Sequence, residues 1–169
     1  MSISRDFYAE QVSVINEFFV DPETGLTTAD GQEFAAEAQA LHEQLQTVFA
    51  EFDSQGLGLT LKSIHGDSWV IILPDASNQG CFRHQSFSKS GWTGHMTTLT
   101  AEAAVLDAFE SGYRLLADRN TLDRLAATQE WAKGIEQLDL ITRHNNGLIS
   151  WQQFHEAMNQ VAVKYAEAA

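Results

Sequence analysis

The period of the apolar positions changes twice along the chain, and these changes divide it into three parts. In residues 1–56 the spacing is helical. Tyr8, Val12, Ile15 and Phe19 fall at i, i+4, i+7 and i+11, which predicts a helix over residues 7–19 with Ser4 as its N-cap. Phe7, Val14 and Phe18 add a second apolar edge, so the pattern predicts packing on two sides. Asp21-Pro22-Glu23-Thr24-Gly25 supplies the stop. Asp30 and Glu33 form the D-x-x-E pattern that opens a second helix. Phe34, Ala38, Leu41, Leu45, Val48 and Phe52 follow at alternating spacings of 4 and 3. This stripe predicts an amphipathic helix laid on a core. Its alternative is an oligomer built through Phe34, Leu41, Leu45, Val48 and Phe52.

In residues 57–112 the period falls to two. Leu57, Leu59 and Leu61 alternate with polar or small residues, as in a half-buried strand reaching His65. Trp69 to Leu73 is unbroken apolar sequence, which predicts a central strand covered on both faces. Strands over residues 81–88 and 92–98 follow, joined at the Lys89-Ser90-Gly91 turn. Short connections imply an antiparallel meander of four strands. Thr100 caps the next helix, and Gly112 sits just past its end.

Residues 113–169 return to helical spacing. Tyr113 to Ala117 is a short extended return. Thr121 caps a short helix through Leu122 and Leu125. Thr128 opens another, with Trp131, Ile135, Leu138 and Ile141 on its face. Ser150 and Gln153 form a capping box for the last helix, lined by Phe154, Met158, Val161 and Tyr165. Grouped strands argue for an α+β fold: a four-stranded antiparallel sheet flanked by two N-terminal and three to four C-terminal helices. Residues 1–169 form one expected domain, with an acidic helical part (1–56), a sheet plus helix (57–112) and a helical part (113–169).

Charge adds a feature that the apolar pattern does not contain. The formal charge is −13, and residues 1–56 hold eleven acids against one base, Arg5. Such a surface repels phosphate backbones, which disfavours direct nucleic-acid binding and favours a basic protein partner. Glu10, Glu17, Glu33, Glu37, Glu43 and Glu51 are the candidate partner-binding residues. One cysteine excludes an internal disulfide and, with no leader-like segment, points to the cytoplasm. No apolar run is long enough to span a membrane. No cofactor motif occurs, and none is expected.

Candidate chemistry is sparse. If the 81–98 hairpin pairs symmetrically about its turn, His84 lies opposite His95, and the two could bind a metal or act as acid and base with Arg83 orienting an anion. The stretch from Thr142 to Phe154 resembles an EF-hand half-site, with Gly147 at loop position 6 and Ile149 at position 8. Its ligand positions carry Thr142, His144, Asn146 and Gln153, so the bidentate glutamate is missing and no calcium site is expected. The strand–turn–strand–helix order also resembles the sheet-plus-helix of AP2-type and integrase arm-binding DNA modules. Those use basic strands, whereas this segment is slightly acidic with only Lys62, Arg83 and Lys89, and no residue is carried over. The leading expectation is a non-enzymatic interaction module whose acidic helices bind a basic, nucleic-acid-binding partner as an inhibitor would. The alternative is a small enzyme or metal-binding domain on His84 and His95.

Overall fold

A computed structural model describes residues 5–166. In chain order the elements are α1 (Phe7–Phe18), α2 (Ala29–Gln55), β1 (Thr60–Ser63), β2 (Ser68–Pro74), β3 (Phe82–Ser88) and β4 (Gly91–Thr98). These are followed by α3 (Ala101–Glu110), β5 (Tyr113–Leu116), α4 (Thr121–Ala126), α5 (Gln129–Asn145) and α6 (Trp151–Ala166). The fold is α+β with an antiparallel sheet. The sheet has five strands rather than four, in the order β4-β3-β2-β1-β5. The extra strand is the return after α3: Leu116 pairs with Leu61 and Leu115 with Lys62. Four residues without alternation give no period to detect, so β5 owes its conformation to a partner distant in sequence.

Alternation along the strands divides the core in two. Leu59, Leu61, Val70 and Ile72 face α2 and α3 and pack with Leu45, Val48, Phe49, Val105 and Phe109. Trp69, Ile71 and Phe87 face the other way, against Trp131 of α5 and Leu122 and Leu125 of α4. The sheet is therefore covered on both sides, which is why Trp69 to Leu73 reads as continuous apolar sequence. Phe49, Phe87 and Phe109 are fully buried, each contributing roughly 2 kcal/mol of apolar burial. α6 packs chiefly on α5 and lies outermost.

Several local expectations change. Most of the stripe on α2 is spent on the chain's own core: Leu45 and Val48 are fully buried and Leu41 and Phe52 pack against them, whereas Phe34 is exposed. α2 begins before Asp30, with Thr28 as its cap: the Thr28 hydroxyl accepts the Gly31 N–H at 3.2 Å. On α5, Leu138 and Ile141 are exposed, and the buried positions are Trp131, Gly134 and Leu140. α5 presents Trp131 and Ile135 to the sheet. Its Leu140 faces the groove shared with Val161 of α6. The Ser4 cap lies outside the described residues, and Asp6 stands at the N-cap of α1. Thr121 is the first residue of α4 rather than its cap, which is Asn120 without a side-chain cap bond. Three further caps hold. Thr100 accepts the Ala103 N–H at 3.1 Å, and Thr128 accepts the Trp131 N–H at 3.2 Å. Ser150 and Gln153 bond reciprocally at 2.9 and 3.3 Å.

Candidate interaction surface

α1 and the first half of α2 form a helical hairpin whose turn is held tightly. The backbone bridges Val20 to Thr27, and the Asp21 N–H donates to the Leu26 carbonyl at 2.9 Å. The Asp21 carboxylate accepts the Glu23 and Thr24 N–H groups at 2.8 and 2.9 Å. These backbone donors hold its pKa below the usual carboxylate value. Gly25, at φ 68°, makes the left-handed step of the turn. The helices cross closely at Gly31, where an added Cβ would lie 2.4 Å from the Phe19 Cβ. Phe18, Phe19 and Phe34 form a run of aromatic contacts there, with centroids 5.4 and 5.5 Å apart.

This hairpin displays apolar and acidic groups together. Phe18 is 80% exposed, Leu26 69% and Val14 63%, and Phe34 is also exposed. The second apolar edge of α1 is thus not packed on two sides as expected: beyond Phe7, it faces outward. A shallow groove of about 380 Å³ runs beside it, lined by Phe7, Glu10, Gln11, Val14 and Ile15. Glu10, Glu17, Glu33, Glu37 and Glu43 are exposed on the two helices. Glu51 is half-buried and accepts a hydrogen bond from Gln55. No Lys or Arg occurs between Asp6 and Gly56.

Arg5 does not offset this charge at the hairpin, because it is engaged elsewhere. Its guanidinium donates to Asp53 at 2.6 and 2.8 Å and to Glu102 at 2.6 and 3.0 Å. It also lies 4.7 Å from the centre of the Phe49 ring. The two carboxylates raise its pKa above the usual arginine value. Asp53 sits near the C-terminus of α2, where the helix dipole disfavours an anion, and Arg5 compensates that placement.

The histidine pair on the β3–β4 hairpin is not brought together. Ser88 pairs with Gly91 and Phe87 with Trp92, as the symmetric turn requires, but Ser86 then pairs with Gly94. Thr93 is the extra residue of a bulge, and it shifts everything beyond it by one position. His84 therefore opposes Met96, and His95 opposes Gln85. Their side chains point to opposite faces. His84 is buried, with Nε2 2.5 Å from an Asp107 oxygen on α3 and no hydrogen-bond partner for Nδ1. His95 is exposed on the second face with Arg83, whose Nε is shielded from solvent and unpartnered.

Next to Arg83, the buried carboxylate of Asp75 accepts the Thr97 hydroxyl at 2.5 Å, the Asn78 amide at 3.1 Å and the Ser77 N–H at 2.8 Å. These donors, with help from Arg83, push its pKa far below the usual value. The sequence reading missed this cluster, because it assembles β2, β4 and the intervening loop through pairing alone.

At the α5–α6 corner, the first four positions of the EF-hand-like stretch belong to α5, so no twelve-residue loop forms. Among the described residues no group of three or more His, Cys, Asp or Glu could hold a metal ion, and no helix is long and apolar enough to cross a membrane. In comparisons with protein-family models, curated proteins and solved structures, the chain matches none.

Proposed function

We propose that this chain is a non-enzymatic protein-interaction module whose α1–α2 hairpin receives a basic, amphipathic segment of a partner protein. The observation that carries this reading is the combination at the hairpin. Exposed Val14, Phe18, Leu26 and Phe34 lie among carboxylates, in a stretch (residues 6–56) whose sequence contains no Lys or Arg. Apolar contact supplies affinity, and charge supplies steering and selectivity. Carboxylates alone would suffice to imitate a phosphate backbone, whereas the exposed aromatic and aliphatic groups favour a partner that is also a protein. A nucleic-acid-binding protein with such a segment on its binding surface would be inhibited by occupation of that surface. The cytoplasm is the compartment this reading implies.

The test is a titration of labelled model helices that carry leucine on one face and lysine on the other, followed by fluorescence anisotropy. Binding should weaken about tenfold or more between low and physiological salt, as surface charge is screened beyond about 8 Å. The Val14→Ser/Phe18→Ser variant should lose binding at all salt concentrations. The Glu17→Gln/Glu33→Gln/Glu37→Gln variant should lose its salt dependence. Binding unaffected by both variants would refute the reading.

A further inference from the structure

α1 carries two apolar stripes side by side. The inner one, Tyr8, Val12, Ile15 and Phe19, runs at spacings of 4, 3 and 4 and is buried or half-buried, as α1 packs on α2. The outer one, Phe7, Gln11, Val14 and Phe18, repeats the same spacings one position earlier. Alternation of 4 and 3 is the spacing of the core positions of a coiled coil. A helix with two such stripes suits a three-helix arrangement, with a neighbour on each stripe. The chain supplies the inner neighbour, α2. On the outer stripe Phe7 reaches the core, but Gln11, Val14 and Phe18 are exposed beside the groove that Phe7, Glu10, Gln11, Val14 and Ile15 line.

Two details of the outer stripe describe the neighbour it lacks. Glu10 and Glu17 each stand one residue before a core position, seven residues apart, so they share one flank. From that flank charged side chains reach the partner helix of a coiled coil. Glu17 accepts the Ser13 hydroxyl at 3.5 Å, a neutral contact that leaves its charge in place. Lysines of the chain are held elsewhere: Lys62 and Lys89 pair with Asp67, and Lys164 pairs with Glu136. The second detail is Gln11, one polar residue among three apolar ones at the core positions. Opposite leucine it would lose water without gaining a hydrogen bond, whereas a polar side chain would satisfy it. A single polar core residue of this kind fixes register. A second copy of the chain fits poorly. Laid antiparallel, two outer stripes would oppose glutamates to glutamates, and laid parallel they would oppose them to Tyr8 and Ile15 of the inner stripe.

We propose that the outer stripe of α1 is one side of a coiled-coil seam. It is completed by a helix of a partner protein that carries basic residues along its flank and one polar residue opposite Gln11. This rests on the reading of the hairpin as the receiver of a basic, amphipathic segment, and adds that the segment is helical, lies along α1 and has a single register. α1 has 12 residues, so the seam is about 18 Å long. Packing on α2 holds α1 in its bound form before the partner arrives, which lowers the ordering cost of so short a seam.

The experiment titrates the full chain into labelled synthetic helices of about two heptads, with leucine at the core positions and lysine on both flanks. One peptide keeps every leucine. In the others a single glutamine replaces each core leucine in turn. One glutamine peptide should bind the wild type about fivefold or more tighter than all the rest. Gln11→Leu should reverse that order, with the all-leucine peptide binding best. An all-leucine peptide with glutamate in place of lysine should fail to bind the wild type and should bind the Glu10→Lys/Glu17→Lys variant. If every lysine peptide binds alike, the seam is overturned and the broader reading of the hairpin stands. If no lysine peptide binds, both fall. A dimer in sedimentation that Val14→Ser dissolves would assign the seam to a second copy and would also overturn the proposal.

Discussion

Nε2 of His84 and a carboxylate oxygen of Asp107 lie 2.5 Å apart across the interface between β3 and α3. The ring is buried, whereas the Asp107 side chain keeps 40% of its surface exposed. The pair fastens the helix to the sheet at its polar end. Replacing His84 by Ala should cost about 2 kcal/mol, from one charge-assisted hydrogen bond and the lost ring packing. Asp107→Asn retains an acceptor for Nε2–H and should cost less than about 1 kcal/mol. Urea denaturation of both variants checks the ordering. An equal loss in both would mean that the charge of Asp107, and not merely an acceptor for Nε2–H, is required.

Gly134 is required because α5 passes directly over the β3–β4 turn. An added Cβ would stand 1.7 Å from the Ser90 carbonyl oxygen, which is backbone and does not rotate away. Gly134→Ala should therefore lift α5 from the sheet and cost about 3 kcal/mol or more. Gly147→Ala is the control. It has φ 70° and open space, so only backbone strain of about 1 kcal/mol is expected. Thermal melts of the two variants should separate clearly, and near-ultraviolet circular dichroism should report the loosened Trp131.

Gly31→Ala should open the acidic hairpin while sparing the sheet. The new methyl would meet the Phe19 Cβ at 2.4 Å and the Thr27 methyl at 2.9 Å. Hydrogen exchange in α1 should accelerate, with β2 and β3 unchanged. Binding of the basic model helix should fall together with the exchange protection of α1. A variant that exchanges like the wild type would show that the crossing adjusts without cost.

Asp75 predicts a specific acid response. Its folded-state pKa is depressed, so the stability it contributes is present above the ordinary carboxylate range near 4 and is lost as pH falls toward the depressed value. Between about pH 4 and pH 2, the urea midpoint of the wild type should fall more steeply than that of Asp75→Asn, which cannot titrate. Parallel curves would show that the Thr97, Asn78 and Ser77 contacts do not favour the ionised form.

Local chemistry was legible in the sequence, and pairing between distant segments was not. Thr100, Thr128 and the Ser150/Gln153 box cap helices as their residue types imply, because a cap depends on three or four neighbouring residues. The change of period at Leu57 and the apolar run from Trp69 located the sheet for the same reason. β5 was missed as a sheet strand because its pairing with β1 spans some fifty residues of chain. The histidine pair failed through one residue: without Thr93 in a bulge, His84 would face His95. The acidic surface was visible as a charge count. Its accompanying apolar groups were visible as the second edge of α1, but their exposure depended on α2 covering only the other edge.

The division of the core by the sheet also sets how far a ligand on the acidic hairpin could be felt. The strands are pinned from both sides by clusters that include Val70 and Ile72 on one face and Trp69 and Phe87 on the other. A ligand on Val14, Phe18 and Phe34 meets α1 and α2, and α2 is anchored in the first cluster through Leu45, Val48 and Phe49. Any ordering that such a ligand brings should therefore stop at the sheet and leave the Trp131 side of the molecule as it was.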